Sequence, residues 1–376
     1  MSVASGRIHE HGELGLIVLN GCHEIGQKID RHIKAMRGEE DQPGSYIIPI
    51  DQVRFSNGEG KVKIRETVRG KDIYIIADVG NYSCTYRMFG FETHMGPDEH
   101  LQDIKRVISA IAGKANRVTL MMPLLYASRQ HKRKDRESLD CSLALQELER
   151  LGVEVLLTFD AHDPTIQNAI PLVSFENLYP TYTILKAFLN SDECKNFDRN
   201  NLMVISPDTG AMDRAIYYAN VLRVDVGMFY KRRDHLRIVN GKNPIIQHEY
   251  IGADVEGKDV LIVDDMIASG ESVFDIIVEL KKRKAARVFV STTFAFFTEG
   301  VERFEQFYRD GMLNKVFSTN LTYLNPKALE GEWFHLVDMS KFMGKIINTL
   351  NHDSSIAPLM DATPKIRKMM DELGLS

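Results

Sequence analysis

An α/β fold with two mostly parallel sheets, each flanked by helices, is predicted by three features of the sequence. Short apolar or β-branched runs recur with helical stretches between them, the alternation that builds a parallel sheet covered on both faces. The chain has 376 residues, enough for two such sheets, each burying its own core. Polar signals gather just after several apolar runs, where open α/β sheets bind their ligands.

The runs are, in order, Leu16–Leu19, Ile73–Ile76, Val118–Met122, Val153–Phe159, Leu202–Ile205, Val260–Val263 and Val288–Ser291. Arg129 and Gln130 follow the third, Asp160 and His162 the fourth, Asp208 the fifth, Asp264 and Asp265 the sixth. A purely structural protein has no reason to concentrate polar chemistry at strand ends. The connection after Asp160 places the boundary between the two halves near Tyr179-Pro180, and no repeat is visible in the sequence itself.

The segment from Val260 to Ser272 carries the most functional information. Four apolar residues predict a buried strand, with two carboxylates where it ends, and Ser269-Gly270-Glu271-Ser272 then opens a helix. The helix shows in Val273, Ile276, Ile277 and Leu280, an i, i+3, i+4, i+7 stripe. A small-residue turn entering a helix presents backbone N–H groups and the positive end of the helix dipole, a site for an anion such as phosphate. The adjacent carboxylates suit sugar hydroxyls or a magnesium ion.

Composition narrows the class. A hydrophobic content of 44% and a charged content of 26% are those of a globular protein. A net charge of −5 gives no reason to expect nucleic acid as a partner. Cys22, Cys84, Cys141 and Cys194 are scattered without CxxC spacing, which argues against zinc and for reduced thiols. No apolar run reaches the roughly 18 residues of a membrane span, and Met1–Glu13 lacks the apolar core of a signal peptide. A cytoplasmic location and no membrane partner are expected.

The Asp264–Ser272 segment resembles the ribose-phosphate loop of the type I phosphoribosyltransferase superfamily. Other blocks resemble one branch of it, the ribose-phosphate pyrophosphokinases or phosphoribosyl diphosphate synthetases: Arg54-Phe55-Ser56-Asn57-Gly58-Glu59, Glu66–Asp72, Tyr126-Ala127-Ser128-Arg129-Gln130, Asp160-Ala161-His162 with Gln167, Ser206-Pro207-Asp208-Thr209-Gly210, and Lys231-Arg232-Arg233. They stand in the family's order from about Leu16 to about Met360, and the ordered set is far more specific than any one block.

The resemblance implies two similar phosphoribosyltransferase-like domains, residues 1–178 on the ATP side and 179–376 on the ribose 5-phosphate side. It implies transfer of a diphosphoryl group from ATP to the C1 hydroxyl of ribose 5-phosphate with Mg2+, in a homo-oligomer, dimer or hexamer. Ribose 5-phosphate would lie on Asp264, Asp265, Ser269, Gly270, Glu271 and Ser272. ATP would meet Arg129 and Gln130, with Phe55, Asn57 and Glu59 around the adenine, the latter loop reaching a neighbouring subunit. Asp160, His162 and Asp208 would serve the metal, and Lys231 and Arg233, with His162, the catalytic step. Lys231–Arg233 is followed by a polar stretch to about His248, read as a loop with a cationic root that closes over the reacting phosphates.

Two positions depart from the family pattern: Ala268 where an Asp is usual, and Glu271 where a small residue is usual. Residues 79–97 look like an insertion, and Pro364–Leu373 a helical tail, both expected at the surface or a subunit contact. Two other functions fit part of the sequence. A phosphoribosyltransferase explains residues 264–272 but leaves the first half idle. A catalytically weak paralogue that regulates an active synthetase fits Ala268 and Glu271 but not the retained His162, Asp208 and Lys231.

Overall fold

The computed structural model describes residues 10–133, 135–194, 198–233 and 245–374, with the side chains of 194, 199, 231–233 and 245–248 outside that description. The chain forms two compact units. The first runs to Tyr179 and adds Leu321–Tyr323 and Met339–Asp361; the second comprises Pro180–Asn320, Leu324–Asp338 and the chain from Ala362. Division at residue 179 into two continuous halves therefore misses a return of the C-terminal chain to the first unit.

The first unit contains β1 (Glu13–Val18), β2 (Ile50–Arg54), β3 (Gly60–Ile64), β4 (Lys71–Ile76), β5 (Thr85–Met88), β6 (Phe91–His94), β7 (Arg117–Met121), β8 (Val155–Phe159) and β9 (Ser174–Leu178). Strands β1-β4-β7-β8-β9 form one parallel sheet, and β2–β3 and β5–β6 are separate hairpins. Every residue of β7 and β8 is buried, as a strand covered on both faces requires. One face, including Ile17, Ile73, Ile75, Leu120 and Leu156, packs on the helices Pro97–Ile111 and Asp140–Arg150.

The other face explains the returning chain. Helix His23–Arg37 lies so close to β1 that a Cβ at Gly26 would stand 2.7 Å from both methyls of Val18. Helix Ser340–Asn351 packs beside it, with the Phe342 ring 6.1 Å from that of Phe159, and buries Met343, Ile346 and Ile347. Without this helix part of an apolar sheet face would meet water, at roughly 1.5–3 kcal/mol per large side chain exposed.

The second unit contains β10 (Leu202–Ser206), β11 (Asp225–Arg233), β12 (Ile245–Ile251), β13 (Asp259–Ile267), β14 (Arg287–Ala295), β15 (Lys315–Thr319) and β16 (Phe334–Val337). They form one sheet in the order β12-β11-β10-β13-β14-β15-β16, parallel except for the edge strand β12. The predicted helical stripe is realised in helix Glu271–Lys282, where Val273, Ile276, Ile277 and Leu280 are buried. The C-terminal helix Thr363–Glu372 is not a surface tail: it packs on the helices Thr181–Leu189 and Met212–Leu222 and buries Ile366 completely.

Strand register exposes a repeat that sequence reading passes over. Gly70-Lys71-Asp72-Ile73 leads into β4 as Gly257-Lys258-Asp259-Val260 leads into β13. Asp72 pairs in register with Arg117, and Asp259 with Arg287. The loops match as well: Gly70 N–H donates to the Lys114 carbonyl (3.0 Å) and Gly257 N–H to that of Lys284 (2.9 Å), with φ of 72° and 73° at the two glycines. Both units thus enter a central strand through the same turn and clamp it to its neighbour with the same ion pair.

Candidate active site

In the second unit the chain passes from β10 to β11 on one side and returns to β13 on the other. Such a reversal opens a crevice at the carboxyl ends of the two strands, the usual ligand site of an open α/β sheet. Asp208 follows β10, Asp264 and Asp265 lie near the end of β13, and Lys231 and Arg233 end β11, so three adjacent strands bring these residues to one sheet edge.

The sequence places the two aspartates after the strand; the structure places them inside it. β13 continues to Ile267 because its pairing with β14 continues through Asp264↔Thr292 to Ile267↔Ala295. Ala268-Ser269-Gly270 makes the turn, and the helix starts at Glu271 with Gly270 as N-cap. Gly270 has φ of 90°, and a Cβ there would meet the Phe304 ring at 2.7 and 2.9 Å. Beneath it Phe304 stacks on Trp333, 5.2 Å apart, a rigid floor for the loop. Ser269 Oγ accepts from Glu271 N–H at 3.4 Å, and Glu271 and Ser272 are exposed in the helix's first turn.

Asp265 is buried and Asp264 half-buried. Asp264 Oδ1 accepts from Asp265 N–H at 2.9 Å. Burial and then the charge of Asp265 push the Asp264 carboxyl well above the usual range, against the opposing pull of Arg214. Two such groups side by side favour a ligand that donates hydrogen bonds or brings positive charge. Arg214, in helix Met212–Leu222, is a residue sequence reading missed; its signal was a lone cation six residues after Asp208.

Asp208 also shapes its own loop, since its Oδ1 caps the turn Thr209–Ala211 by accepting from Gly210 N–H at 2.9 Å and Ala211 N–H at 3.3 Å. Lys231–Arg233 end a strand, and residues 245–248, expected as the far end of the polar loop, belong to the next one. Lys231, Arg232 and Arg233 lie in β11, paired antiparallel with His248, Gln247 and Ile245 of β12, with an irregularity between Arg232 and Arg233. The expected closing segment 234–244 and the side chains of Lys231 and Arg233 lie outside the described residues.

In the first unit β7 and β8 are neighbours, so their carboxyl ends lie side by side. The turn Ser128–Gln130 after β7 exposes Arg129 and Gln130 and is entered through Ala127 at φ of 51°. After β8, Asp160 is buried with φ of 44°, a left-handed conformation that a non-glycine residue holds only under constraint, and His162 is exposed. His131 and Asp163, which sequence reading passed over, sit between the two segments: the His131 ring lies 5.5 Å from that of His162, and its Nε2 3.1 Å from Asp163 Oδ2. Thr165, through its hydroxyl and its N–H, holds the Asp163 carboxylate below its ordinary range, aided by His131 and Lys132.

Phe55, Asn57 and Glu59 form the tip of the β2–β3 hairpin. Phe55 N–H donates to the Glu59 carbonyl (2.8 Å) and Asn57 Nδ2 to Glu59 Oε2 (3.0 Å). Phe55 is 47% exposed. Residues 79–97 form the β5–β6 hairpin, tied to this tip by Phe89 N–H donating to the Ser56 carbonyl (3.0 Å), with Phe89 and Phe91 each 75% exposed.

This ordered arrangement agrees with comparison to known proteins. Residues 14–152 match the N-terminal domain of ribose phosphate pyrophosphokinase, and residues 182–305 the phosphoribosyl transferase domain. A ribose-phosphate pyrophosphokinase of Ralstonia nicotianae is 31% identical over 239 residues, 63% of this chain and 67% of that protein. The chain belongs to the ribose-phosphate pyrophosphokinase family. The ribose-phosphate pyrophosphokinase of Vibrio parahaemolyticus is 27% identical over 82% of this chain and 90% of its own length. The crystal structure of phosphoribosylpyrophosphate synthetase from Mycobacterium smegmatis shares the fold across 91% of this chain and 100% of that one, with a TM-score of 0.72 at 19% identity.

Within a ribose-phosphate pyrophosphokinase a metal ion has to fit the donors present. Among the described residues no three His, Cys, Asp or Glu side chains converge as a cage. Magnesium needs none, because it keeps several waters and is held by one or two carboxylates together with substrate phosphates. The oxygen-rich edge at Asp208, Asp264 and Asp265 has that donor chemistry.

Proposed function

We propose that this protein is a ribose-phosphate diphosphokinase that transfers the diphosphoryl group of ATP to the C1 hydroxyl of ribose 5-phosphate. The products are phosphoribosyl diphosphate and AMP, and the cell's use for the first is nucleotide biosynthesis. The observation that carries the reading is the combination of an N-terminal pyrophosphokinase domain match with a crevice at β10 and β13 in the phosphoribosyl transferase domain.

The C1 hydroxyl oxygen attacks the β-phosphorus of ATP, the bond from that phosphorus to the α–β bridging oxygen breaks, AMP leaves with the electron pair, and the hydroxyl proton is released. Little covalent chemistry falls to the protein, so positioning and charge do most of the catalysis. Ser269, Gly270, Glu271 and Ser272 would hold the 5-phosphate on the N-terminal turn of their helix. Asp264 and Asp265 would accept from the ribose hydroxyls, which suits a carboxyl that burial and its neighbour keep from charging freely. Arg129 and Gln130 would grip ATP, with Phe55, Asn57 and Glu59 at the adenine. Lys231 and Arg233 would meet the charge developing on the migrating group; cations so placed contribute roughly 10³ to 10⁵ in rate.

Asp208 on the ribose 5-phosphate side, and Asp160 and His162 on the ATP side, would serve Mg2+, which would neutralise phosphate charge when bound. A homo-oligomer in which the Phe55 hairpin completes a neighbour's nucleotide site accounts for the exposure of Phe55. The three free cysteines among the described residues suit a reducing cytoplasm.

The test is to incubate the protein with ATP, ribose 5-phosphate and Mg2+ and follow AMP and the anomeric diphosphate by phosphorus NMR, with Lys231→Ala as control. Product that vanishes in the control is expected. Intact ATP with both substrates bound would overturn the proposal in favour of a regulatory paralogue.

A further inference from the structure

His131 has a geometry that ordinary surface histidines lack. Its side chain is 9% exposed. Its Nδ1 lies 2.9 Å from the Ser128 carbonyl, which fixes that nitrogen as the proton donor and ties the ring back onto the turn carrying Arg129 and Gln130. Its Nε2 is buried without a hydrogen-bond partner, although Asp163 Oδ2 is only 3.1 Å away. A buried polar atom left in that state calls for a reason.

The other side of the contact is prepared to receive it. Asp163 divides its two oxygens: Oδ1 accepts from Thr165 N–H (3.0 Å) and Thr165 Oγ1 (2.6 Å), capping the turn Pro164–Ala169, while Oδ2 faces His131 Nε2 and, at 4.0 Å, Lys132 Nζ. The His131 ring also rests against that of His162, the planes inclined by 59°. One imidazole therefore touches both loops at the carboxyl ends of β7 and β8.

We infer that His131 is a positioning residue for the nucleotide, a brace that fixes the Arg129–Gln130 turn against the Asp160–Asp163 loop. The inference rests on the proposed function, since it takes those two segments as the ATP side of the site. The exposed Arg129 and Gln130 side chains extend from a three-residue turn that the bond to Ser128 and the contact to Asp163 help to anchor. Ligand-binding groups on a short turn lose affinity when the turn is free to rock, because the ordering then falls on the binding step.

The two nitrogens can be tested separately. In His131→Asn the amide nitrogen takes the place of Nδ1 and keeps the Ser128 bond while the reach to Asp163 is lost. Asp163→Ser keeps an oxygen that caps the turn at Thr165 N–H and removes the oxygen facing His131. A brace predicts that each single variant raises KM for ATP by about ten- to a hundredfold, with kcat within a factor of about three and KM for ribose 5-phosphate unchanged. The double variant should be no worse than either single one, as expected for two halves of one contact.

Titration of ATP by calorimetry without ribose 5-phosphate reads the same shift in Kd independently of turnover. A wild-type protein that binds ATP but forms no product would refute the proposed reaction while leaving the brace measurable. Unchanged ATP affinity in both folded variants, or losses that multiply in the double variant, would overturn the inference. Circular dichroism establishes that each variant is folded, and Asp163→Ser alone decides if His131→Asn is not.

Discussion

Arg117 grips Asp72 across neighbouring strands with two hydrogen bonds, 2.8 Å from Nε and 2.6 Å from Nη2, at a site where Asp72 has no exposure at all. Asn351 adds a third bond to Asp72 (2.9 Å), and Arg117 reaches the Leu350 carbonyl (2.9 Å), so the pair also fastens the returning helix Ser340–Asn351. Arg287 and Asp259 repeat the clamp in the second unit at 2.9 and 2.6 Å, but with Arg287 31% exposed.

Removing one partner of a buried pair strands the other's charge, at about 3–5 kcal/mol. Asp72→Ala should therefore lower the unfolding free energy of its unit by about that amount, and Asp259→Ala by less because water reaches Arg287. Urea denaturation monitored in each unit checks both. Proteolysis should cut the 339–361 segment first in Asp72→Ala.

Asp264 sets a pH dependence. Its carboxyl keeps its proton to higher pH in the folded protein than in the unfolded chain. The folded state thus binds more protons, and stability falls as pH rises from the ordinary carboxylate value, near about 4, through the folded one. Asp264→Asn removes this dependence. Its melting temperature without ligands should exceed that of the natural protein by a margin that grows over this window and then levels off, while synthesis of phosphoribosyl diphosphate is lost. Identical melting profiles would remove Asp264 from this role.

Gly270→Ala forces a side chain into a left-handed conformation against the Phe304 ring. Strain of this kind costs about 1–3 kcal/mol. A lower melting temperature with weakened ribose 5-phosphate binding is expected, and unaltered ATP binding marks the damage as local.

Arg129 and Lys231 separate binding from chemistry. Arg129→Ala should raise KM for ATP about tenfold or more and spare kcat, whereas Lys231→Ala should lower kcat by roughly 10³ and spare KM. Steady-state kinetics with ATP as the varied substrate distinguishes them, and a Lys231 variant with near-normal turnover would end its assignment.

Ala268 stands in the turn where the sequence resemblance leads one to expect Asp. Ala268→Asp adds an oxygen acceptor beside Asp264 and Ser269, and should tighten ribose 5-phosphate binding by roughly 1 kcal/mol, about fivefold. Substrate titration by calorimetry measures this directly.

The strand runs, the alternation with helices and the apolar stripe from Val273 to Leu280 were legible because they are local: a buried parallel strand is continuously apolar, and a helix marks its face every three or four residues. The turn Ala268–Gly270 into the helix was legible for the same reason, since its residues lie next to one another in the chain. The sequence alone therefore determined the α/β class, the polar strand ends and the family resemblance.

What only the tertiary structure decided depends on partners far apart in the chain. The extension of β13 through Asp264 and Asp265 comes from pairing with β14, and the strand at Lys231–Arg233 from pairing with β12. The return of Ser340–Asn351 to the first unit comes from a sheet face that needs cover and from Asn351 bonding to Asp72, 279 positions away. The internal repeat appeared only once register aligned Asp72–Arg117 with Asp259–Arg287. The meeting of His131 with Asp163 follows from β7 and β8 being neighbours, because sheet order is fixed by the packing of whole faces and no short window of sequence contains it.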